Sequence, residues 1–319
     1  MNSREQAPLI EIRGLHKSYA VPVLSAVDFD VLPGEVHALV GANGAGKSTL
    51  SKIICGLTPA SEGRMIFEGI EYAPRRKADA ERHGIHMVMQ ELNLIPTLSI
   101  AENLFFGKMP VRWRTFVRNG EMNLLAGDVL AMVGLESLDP AMPVACLGVG
   151  HQQLVEIAAA LSHHCRLLIL DEPTAALTDS EIELLFSHIE RLKAQGVGII
   201  YISHRMEEIR RVADRVTILR DGRIIVTESA GDLSVREMVS HMAGREPVEH
   251  FDFGDREFGE VALRVEDLNR GALVRDVSFE VRRGEIFGFA GLVGSGRTET
   301  MRTIFGADRP ESGTVYLGQ

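Results

Sequence analysis

Residues 41–48 read Gly-Ala-Asn-Gly-Ala-Gly-Lys-Ser, a pattern that is typical of a phosphate-binding loop. Glycines allow successive backbone N–H groups to point at one phosphate, and a following helix adds the positive end of its dipole. In such a loop Lys47 reaches the terminal phosphates of a nucleotide and the Ser48 hydroxyl binds Mg²⁺. A glycine-rich turn that only packs is the alternative. We predict a nucleotide site because the pattern lies between an apolar strand and a helix.

A second candidate group is the pair of acids Asp171 and Glu172, which follows the apolar run Leu167-Leu-Ile-Leu. Such a run predicts a buried strand whose end presents both carboxylates. We expect Asp171 to hold Mg²⁺ and Glu172 to polarise the attacking water. Two acids in a solvated turn are the alternative, and the phosphate loop elsewhere in the chain favours the catalytic interpretation.

Alternating strands and helices must position these groups. Short apolar runs predict strands over 35–40, 167–170 and 198–202, and helical spacing predicts helices over 48–56 and 180–195. Asp221-Gly222, between two apolar segments, predicts a β-hairpin, and a helix is expected from about Ser234. This order of elements predicts an α/β fold with a buried parallel sheet.

Residues 277–317 repeat the pattern of residues 27–67. The shared positions in the first copy are Gly34, Glu35, Gly41, Gly44, Gly46, Gly56 and Gly63. A repeat of this length predicts a duplicated domain rather than a solenoid. We therefore expect a first domain over 1–245, an acidic, turn-rich linker over 246–260, and only the opening of a second copy over 261–319. In that copy we expect Ile286–Ala290 to form an apolar β-face with little to pack against.

The second copy has its own glycine-rich loop, with Gly291, Gly296, Arg297 and Thr298 in the positions of the first. Arg297 replaces Lys47, and its bulkier guanidinium need not fit a phosphate cradle. We expect this loop to be degenerate.

The composition excludes several classes of protein. The 319 residues include 44 acids and 34 bases, a net charge of −10 that opposes general binding of nucleic acid. The three cysteines are far apart and lack metal-binding or disulfide spacing, which favours a reducing compartment. No stretch approaches the roughly 18 apolar residues of a membrane span. A membrane role is therefore expected to come through a partner.

Together these residues resemble the nucleotide-binding domains of ABC transporters. Further family motifs occur in the expected order: Tyr19 where the family stacks adenine, Gln90 as the Q-loop, Leu147 opening the signature motif, and His204 as the switch histidine. Considered alone, Tyr19 is typical of a surface aromatic, Gln90 of a solvated polar residue and His204 of a histidine at the end of a strand. Their order along the chain favours the family interpretation. The resemblance implies a P-loop NTPase with an antiparallel β-subdomain and a helical subdomain.

The resemblance also implies the site residues. Catalytic positions are Glu172, His204 and Gln90, and Mg²⁺ ligands are Ser48, Gln90 and Asp171. ATP contacts are implied for Tyr19, Gly41, Asn43, Gly44, Gly46, Lys47, Ser48 and Thr49.

The segments VGHQQLVEIAAAL, EPTAALTDSE and GLVGSGRTE are similar to sugar importers of the ribose, galactose and xylose type, whose ATP-binding subunit carries two nucleotide-binding domains. This resemblance implies hydrolysis of Mg-ATP to power import of a monosaccharide through transmembrane permease subunits, supplied by a periplasmic sugar-binding protein. It places the chain on the cytoplasmic face of the inner membrane and implies a second nucleotide-binding domain or a dimer partner. No nucleic-acid partner is implied.

The signature motif departs from the family pattern LSGGQ or LSxGQ. It consists of Leu147, Gly148, Val149, Gly150 and His151. Gly148 lacks the hydroxyl that would contact a γ-phosphate across the domain interface. By resemblance this defect and Arg297 fall in the same composite site, which we expect to bind or hydrolyse nucleotide weakly.

Other functions remain open at this point. One is an ABC ATPase of a different transport system, or a soluble one in translation or DNA repair. The acidic balance and the absence of a long coiled-coil insertion oppose the soluble type. Another is a truncated, non-hydrolysing remnant that binds nucleotide or permease.

Overall fold

The structure, a computed structural model, describes residues 7–89, 92–112, 116–162, 164–175, 177–244, 257–291 and 294–318. The chain divides into two units, Met1–Pro247 and Val248–Gln319. None of the helices within the described ranges is long and apolar enough to cross a bilayer.

The first unit alternates strands and helices along most of its length. Its strands are β1 (Ile10–Ser18), β2 (Pro22–Val31), β3 (Val36–Val40), β4 (Glu62–Phe67), β5 (Ile70–Glu71), β6 (Ile85–Val88), β7 (Val111–Arg112), β8 (Phe116–Val117), β9 (Leu167–Asp171), β10 (Gly198–Ile202), β11 (Arg215–Arg220) and β12 (Arg223–Ser229). Its helices are α1 (Lys47–Ile54), α2 (Lys77–Arg82), α3 (Ile100–Leu104), α4 (Asn119–Met132), α5 (Val149–Leu161), α6 (Asp179–Ala194), α7 (Met206–Val212) and α8 (Val235–Ala243).

The central sheet has the strand order β12-β11-β3-β10-β9-β6. All neighbouring strands in this sheet are parallel, except that β11 and β12 are antiparallel to each other. Successive side chains of a strand point to opposite faces, so a strand buried on both sides is apolar throughout. In β9, Leu168 and Leu170 pack with the helices α3 to α6, whereas Leu167 and Ile169 pack with α1 and the antiparallel sheet. The predicted α/β architecture is confirmed.

Two smaller layers cover the central sheet. Strands β2-β1-β4-β5 form an antiparallel sheet that shares its core with α1. Helices α3, α4 and α5 form a helical layer, and their buried side chains belong to the same core cluster as Leu168 and Leu170 of β9. The expected antiparallel β-subdomain and helical subdomain are therefore both present.

The Asp221-Gly222 turn joins β11 to β12 with φ values of +50° and +74°. Two successive positive φ angles are the geometry that an Asp-Gly hairpin turn supplies, so the predicted hairpin is confirmed. The predicted helix that follows is α8. Ser234 and Glu237 close its first turn by hydrogen bonding each other's backbone N–H groups.

The second unit contains β13 (Val261–Arg270), β14 (Val274–Arg282), α9 (Arg297–Phe305) and β15 (Ser312–Leu317). Its sheet order β14-β13-β15 matches the order β2-β1-β4 of the first unit. Gly63 and Gly313, equivalent in the repeat, each lie so close to the backbone of the adjacent strand that a Cβ would clash with it. The sequence repeat is therefore also a repeat of structure.

One prediction about this unit is wrong: Ile286–Ala290 forms no strand. The equivalent β3 is hydrogen-bonded between β10 and β11. The described residues of the second unit supply no such neighbours, and a strand without neighbours leaves its backbone groups unpaired. Ile286 is instead 80% exposed, and Phe287 stacks on Phe279.

Candidate nucleotide-binding site

A cleft of about 770 Å³ lies at the carboxyl ends of the parallel strands β3, β9 and β10. This edge of an open parallel sheet is where such folds bind ligands. Residues 41–49 form one wall, and Asp171, Glu172 and His204 line the remainder together with Val23 and Met242. The structure therefore brings together the loop residues predicted to bind ATP: Gly41, Asn43, Gly44, Gly46, Lys47, Ser48 and Thr49.

Two glycines fix the shape of the loop. A Cβ on Gly41 would clash with the carbonyl oxygen of Leu219, so only glycine allows this close approach. Gly46 has a φ of +111° and lies against the Leu24 side chain, immediately before α1. No side chain caps the N-terminus of α1. The first residues of α1, Lys47, Ser48 and Thr49, line the cleft, so the free backbone N–H groups and the positive end of the helix dipole lie at the cleft wall, as an anion site requires.

The Lys47 ammonium lies beneath this loop. Its Nζ donates hydrogen bonds to the carbonyl oxygens of Gly41, at 2.7 Å, and Ala42, at 3.1 Å. Burial lowers the pKa of Lys47, and the carboxylates of Glu172 and Asp171 oppose that shift. The cation is thus held at the base of the loop, within the wall that a phosphate group would contact.

Asp171 and Ser48 both line this cleft, and the Ser48 hydroxyl is among the groups that lower the pKa of the Asp171 carboxyl. Burial raises the pKa of Asp171, the neighbouring Glu172 carboxylate raises it further, and Ser48 and Lys47 lower it. A carboxylate and a hydroxyl fit Mg²⁺, which prefers oxygen ligands and completes its shell with waters and substrate phosphates. Within the described ranges no three His, Cys, Asp or Glu side chains cluster as a metal site. A donor set of one carboxylate and one hydroxyl suits a cation that takes its remaining ligands from water and nucleotide phosphates.

Glu172 and His204 form the third element of the site. Nδ1 of His204 lies 3.1 Å from Oε1 of Glu172. The Glu172 backbone has a φ of +50°, and its N–H donates to the carbonyl oxygen of Ile202 at 2.9 Å. The carboxylate is thus held at the cleft beside an exposed imidazole, an arrangement that can polarise a water molecule.

Tyr19 is not among the residues that line this cleft. Tyr19 is 59% exposed on the loop between β1 and β2, where the Lys17 ammonium lies 4.8 Å from its ring centroid. Gln90, predicted as a catalytic residue and Mg²⁺ ligand, lies outside the described residues.

In the second unit, Gly296 has a φ of +86° and precedes α9 as Gly46 precedes α1. Arg297 and Thr298 open α9 and are exposed, and Gly291 is exposed as well.

The signature residues lie together at the start of α5. Leu147 is buried, and its carbonyl accepts a hydrogen bond from Gln152 at 2.9 Å. Gly148 is the N-cap residue of α5 and has no side chain that could cap the helix. A Cβ on Gly148 would have no neighbour within 4 Å, whereas one on Gly150 would overlap the Glu181 carboxylate.

His151 also faces Glu181, with its Nδ1 3.8 Å from Oε1 of that carboxylate. Where the family motif has a serine hydroxyl, Gly148 has no side chain. Where the motif has a glutamine, His151 presents an imidazole. This helix start lies apart from the cleft-lining residues of the same unit.

Sequence reasoning missed two residues of the cleft, Val23 and Met242. Val23 lies in β2 and Met242 in α8, and neither has a local pattern that predicts a ligand contact. The Asp221-Gly222 turn helps to explain why β2 lies beside the glycine-rich loop. Gly222 donates its N–H to the carbonyl oxygen of Ala45 at 3.1 Å, and its own carbonyl accepts from Ser25 N at 2.9 Å. The hairpin thus supports the loop and β2 together.

Comparison with known proteins gives consistent matches. Residues 24–175 match the family model described as ABC transporter. The chain is 48% identical over 311 residues to "Ribose import ATP-binding protein RbsA" of Geobacillus kaustophilus (strain HTA426), covering 97% of this chain and 63% of that protein. It is 47% identical over 315 residues to "Putative ribose/galactose/methyl galactoside import ATP-binding protein 1" of Burkholderia lata, covering 97% of this chain and 61% of that protein. The chain therefore spans less than two thirds of the length of these relatives.

Solved structures with the same fold include two at 26% and 28% sequence identity. A nucleotide-free ATP-binding cassette from an ABC transporter has a TM-score of 0.63 and covers 70% of this chain and 92% of its own. An ATP-binding subunit of an ABC transporter has a TM-score of 0.60 and covers 74% of this chain and 99% of its own.

Proposed function

Because the first unit has the fold of an ABC transporter nucleotide-binding domain, we propose that this chain binds and hydrolyses Mg-ATP and thereby powers import of a monosaccharide. The observation that carries the proposal is the meeting of Lys47, Ser48, Asp171, Glu172 and His204 in one cleft, beside an uncapped helix N-terminus.

Each side chain has a defined task in this reaction. Lys47 and the backbone N–H groups of the loop bind the phosphates and offset their charge. Ser48 and Asp171 would hold Mg²⁺, which when bound neutralises charge on the phosphate oxygens. Glu172 polarises the attacking water, and the His204 imidazole orients that carboxylate from 3.1 Å away.

The proposed substrate class and partners follow the names of the relatives. Those proteins are named for import of ribose, galactose and methyl galactoside, so we infer a monosaccharide of this kind. The chain would act from the cytoplasmic face of the inner membrane, bound to transmembrane permease subunits that a periplasmic sugar-binding protein supplies. The sugar itself would be selected by those partners.

We further propose that residues 1–245 form the first nucleotide-binding domain, residues 246–260 a linker, and residues 261–319 the beginning of a second copy. Hydrolysis at the Lys47 site would then need a signature motif from a facing domain, either a complete second copy or a second chain. A composite site that contains Gly148 would lack a hydroxyl donor, and one that contains Arg297 would lack the usual lysine, so we expect either to bind or hydrolyse nucleotide weakly.

The test measures Mg-ATP binding by calorimetry and steady-state ATP turnover at several protein concentrations. It compares the 319-residue chain with a version extended by a complete second domain. We expect binding in both, and turnover per Lys47 site that is higher in the extended version and rises with concentration in the shorter one. Equal turnover in both, independent of concentration, would contradict the composite site, and absence of ATP binding would overturn the whole proposal.

A second experiment separates the transport function from its alternatives. The chain is purified together with candidate permease subunits, reconstituted in vesicles, and assayed for ATP-dependent uptake of ribose and galactose. Turnover stimulated by ribosomes or DNA instead would indicate a soluble ABC ATPase. Nucleotide binding without turnover in the assembled complex would indicate a non-hydrolysing remnant.

A further inference from the structure

Glu208 is a buried acid in the first turn of α7, and it does not line the nucleotide cleft. Its Oε2 atom accepts three hydrogen bonds from hydroxyl groups: Thr174 Oγ1 at 2.8 Å, Tyr201 Oη at 2.9 Å and Ser203 Oγ at 3.2 Å. Its Oε1 atom accepts one from Nη1 of Arg205 at 2.8 Å. A single carboxylate thus accepts hydrogen bonds from four donors, three from residues 201–205 and one, Thr174, from the loop after β9.

Three of the four donors lie close in sequence to the two residues proposed to act on the attacking water, and the fourth, Tyr201, lies in β10. Thr174 follows Glu172 by two residues along the chain. Ser203 and Arg205 lie immediately before and after His204. The Ser203 hydroxyl also accepts a hydrogen bond from the backbone N–H of Arg205 at 3.0 Å, which closes the turn around His204. The Glu208 carboxylate therefore connects the loop that carries Glu172 to the loop that carries His204.

The strength of this connection follows from its charge and burial. Hydrogen bonds to an ionised carboxylate are about twice as strong as those between neutral groups. Thr174, Tyr201 and Ser203 are all buried, so each hydroxyl would lose a partner that water does not readily replace. The hydrogen bond to Glu208 also raises the pKa of Arg205, which keeps that guanidinium charged beside the carboxylate.

We propose that Glu208 is a positioning residue that holds Glu172 and His204 at their working distance without touching the nucleotide. The inference rests on the proposed hydrolysis of ATP at that pair. A displacement of about 1 Å at a reacting group is enough to slow a reaction by about 100-fold. Loosening the two loops would therefore lower the rate of hydrolysis and leave nucleotide binding to the separate phosphate loop.

The experiment compares Glu208→Gln with Glu35→Gln. Glu35 is a matched control because it is also a buried acid that binds an arginine: Arg215 Nε donates to it at 2.6 Å, at the opposite end of the central sheet. For Glu208→Gln we expect kcat for ATP to fall about tenfold or more, with the Kd for ATP changed less than about twofold. For Glu35→Gln we expect lower thermal stability with kcat changed less than about twofold.

A double mutant distinguishes positioning from a general loss of stability. If Glu208 acts through His204, then Glu208→Gln has little further effect on kcat once His204 is replaced by alanine. The same fractional loss of kcat with and without His204 would overturn the proposal, as would an unchanged kcat in the single variant. Should Glu208→Gln fail to fold, Ser203→Ala removes only the hydroxyl nearest His204, and we expect a fall in kcat of about threefold or more.

A readout that needs no turnover separates this proposal from the proposed function. The ¹H–¹³C resonance of the His204 imidazole, assigned by its loss in His204→Ala, reports the surroundings of that ring. We expect Glu208→Gln and Glu172→Gln both to move it, and Glu35→Gln to leave it in place. An unmoved resonance in Glu208→Gln would overturn the positioning role. If the chain bound and hydrolysed no ATP while the resonance moved, the proposed function would fail and the connection between the loops would stand.

Discussion

Nδ1 of His204 lies 3.1 Å from the carboxylate of Glu172, although 32 residues separate the two along the chain. The pair forms because β9 and β10 are adjacent and parallel, with Asp171 opposite Ile202, so both residues emerge at the same sheet edge. Glu172 adopts a φ of +50°, which costs a residue with a side chain about 1–3 kcal/mol. Backbone strain of this kind is concentrated at functional sites, and here it lies at the acid proposed to polarise water.

Glu172→Gln is expected to keep ATP binding and to slow hydrolysis by about 100-fold or more, because the amide cannot accept the proton of the attacking water. Calorimetry gives the Kd for ATP, and a coupled phosphate-release assay gives kcat. Glu183→Gln is the control, since Glu183 is an exposed acid paired with Arg211 away from the cleft. Turnover of Glu172→Gln at the wild-type rate would show that another group positions the water.

Lys47→Ala is expected to abolish productive ATP binding, because the loop loses the ammonium held at its base. Hydrogen bonds to charged groups contribute about 1.5–3 kcal/mol each, so loss of two phosphate contacts corresponds to about 100-fold or more in Kd. The measurement is calorimetric titration with Mg-ATP. Lys52→Ala serves as the control because Lys52 is an exposed residue in the last turn of the same helix. Wild-type affinity and turnover in Lys47→Ala would contradict the phosphate-loop assignment.

The sequence allowed the phosphate loop, Asp171 and the Asp221-Gly222 hairpin to be predicted because each depends on short-range rules. Gly44 and Gly46 have positive φ angles of +82° and +111° within this one loop, a local requirement that glycine meets. Glu208 could not be found this way. An acid in the first turn of a helix is ordinary in sequence, and only the tertiary structure places its carboxylate against Thr174.

The failed prediction at Ile286–Ala290 has a related cause. An apolar run predicts a strand only if other strands pair with it, and that condition is not local. Val36–Val40 meets it, because β10 and β11 lie on either side. The described part of the second unit contains no counterparts of β10 and β11, so the same pattern gives an exposed segment.

His37 is expected to make stability depend on pH. The side chain is fully buried, and burial, with the nearby Arg215 charge, lowers its pKa from 6.5 to about 4. The unfolded chain therefore binds more protons than the folded one between these values. The contribution of neutral His37 to the free energy of unfolding is present above pH 6.5 and is lost as the pH falls toward 4. We expect His37 to account for a loss of about 2 kcal/mol between pH 7 and pH 5.

Urea unfolding at several pH values measures this contribution. The difference in slope between the wild type and His37→Gln isolates this contribution from the titration of other groups, which include the nearby Glu35. His164→Gln, at an exposed position, is the control for replacing a histidine by glutamine and is expected to change the free energy of unfolding by less than about 0.5 kcal/mol. Parallel stability curves for the wild type and His37→Gln would show that His37 is not held neutral by the fold.

Gly148→Ser tests the altered signature motif. Gly148 has φ −61° and ψ 155° at the N-cap of α5, a conformation that serine adopts, with no neighbour within 4 Å of its Cβ position. The new hydroxyl is expected to accept a hydrogen bond from the first turn of the helix and raise stability by a few tenths of a kcal/mol. Facing the Lys47 site of a second chain, the same hydroxyl would supply a phosphate contact worth about 1–3 kcal/mol, so turnover at high protein concentration should rise about tenfold. Gly148→Ala is the matched control, because it adds the Cβ without the hydroxyl and an alanine N-cap is poorer than glycine. A rise in turnover that both variants share would mean that backbone rigidity, and not the missing hydroxyl, limits the self-paired site.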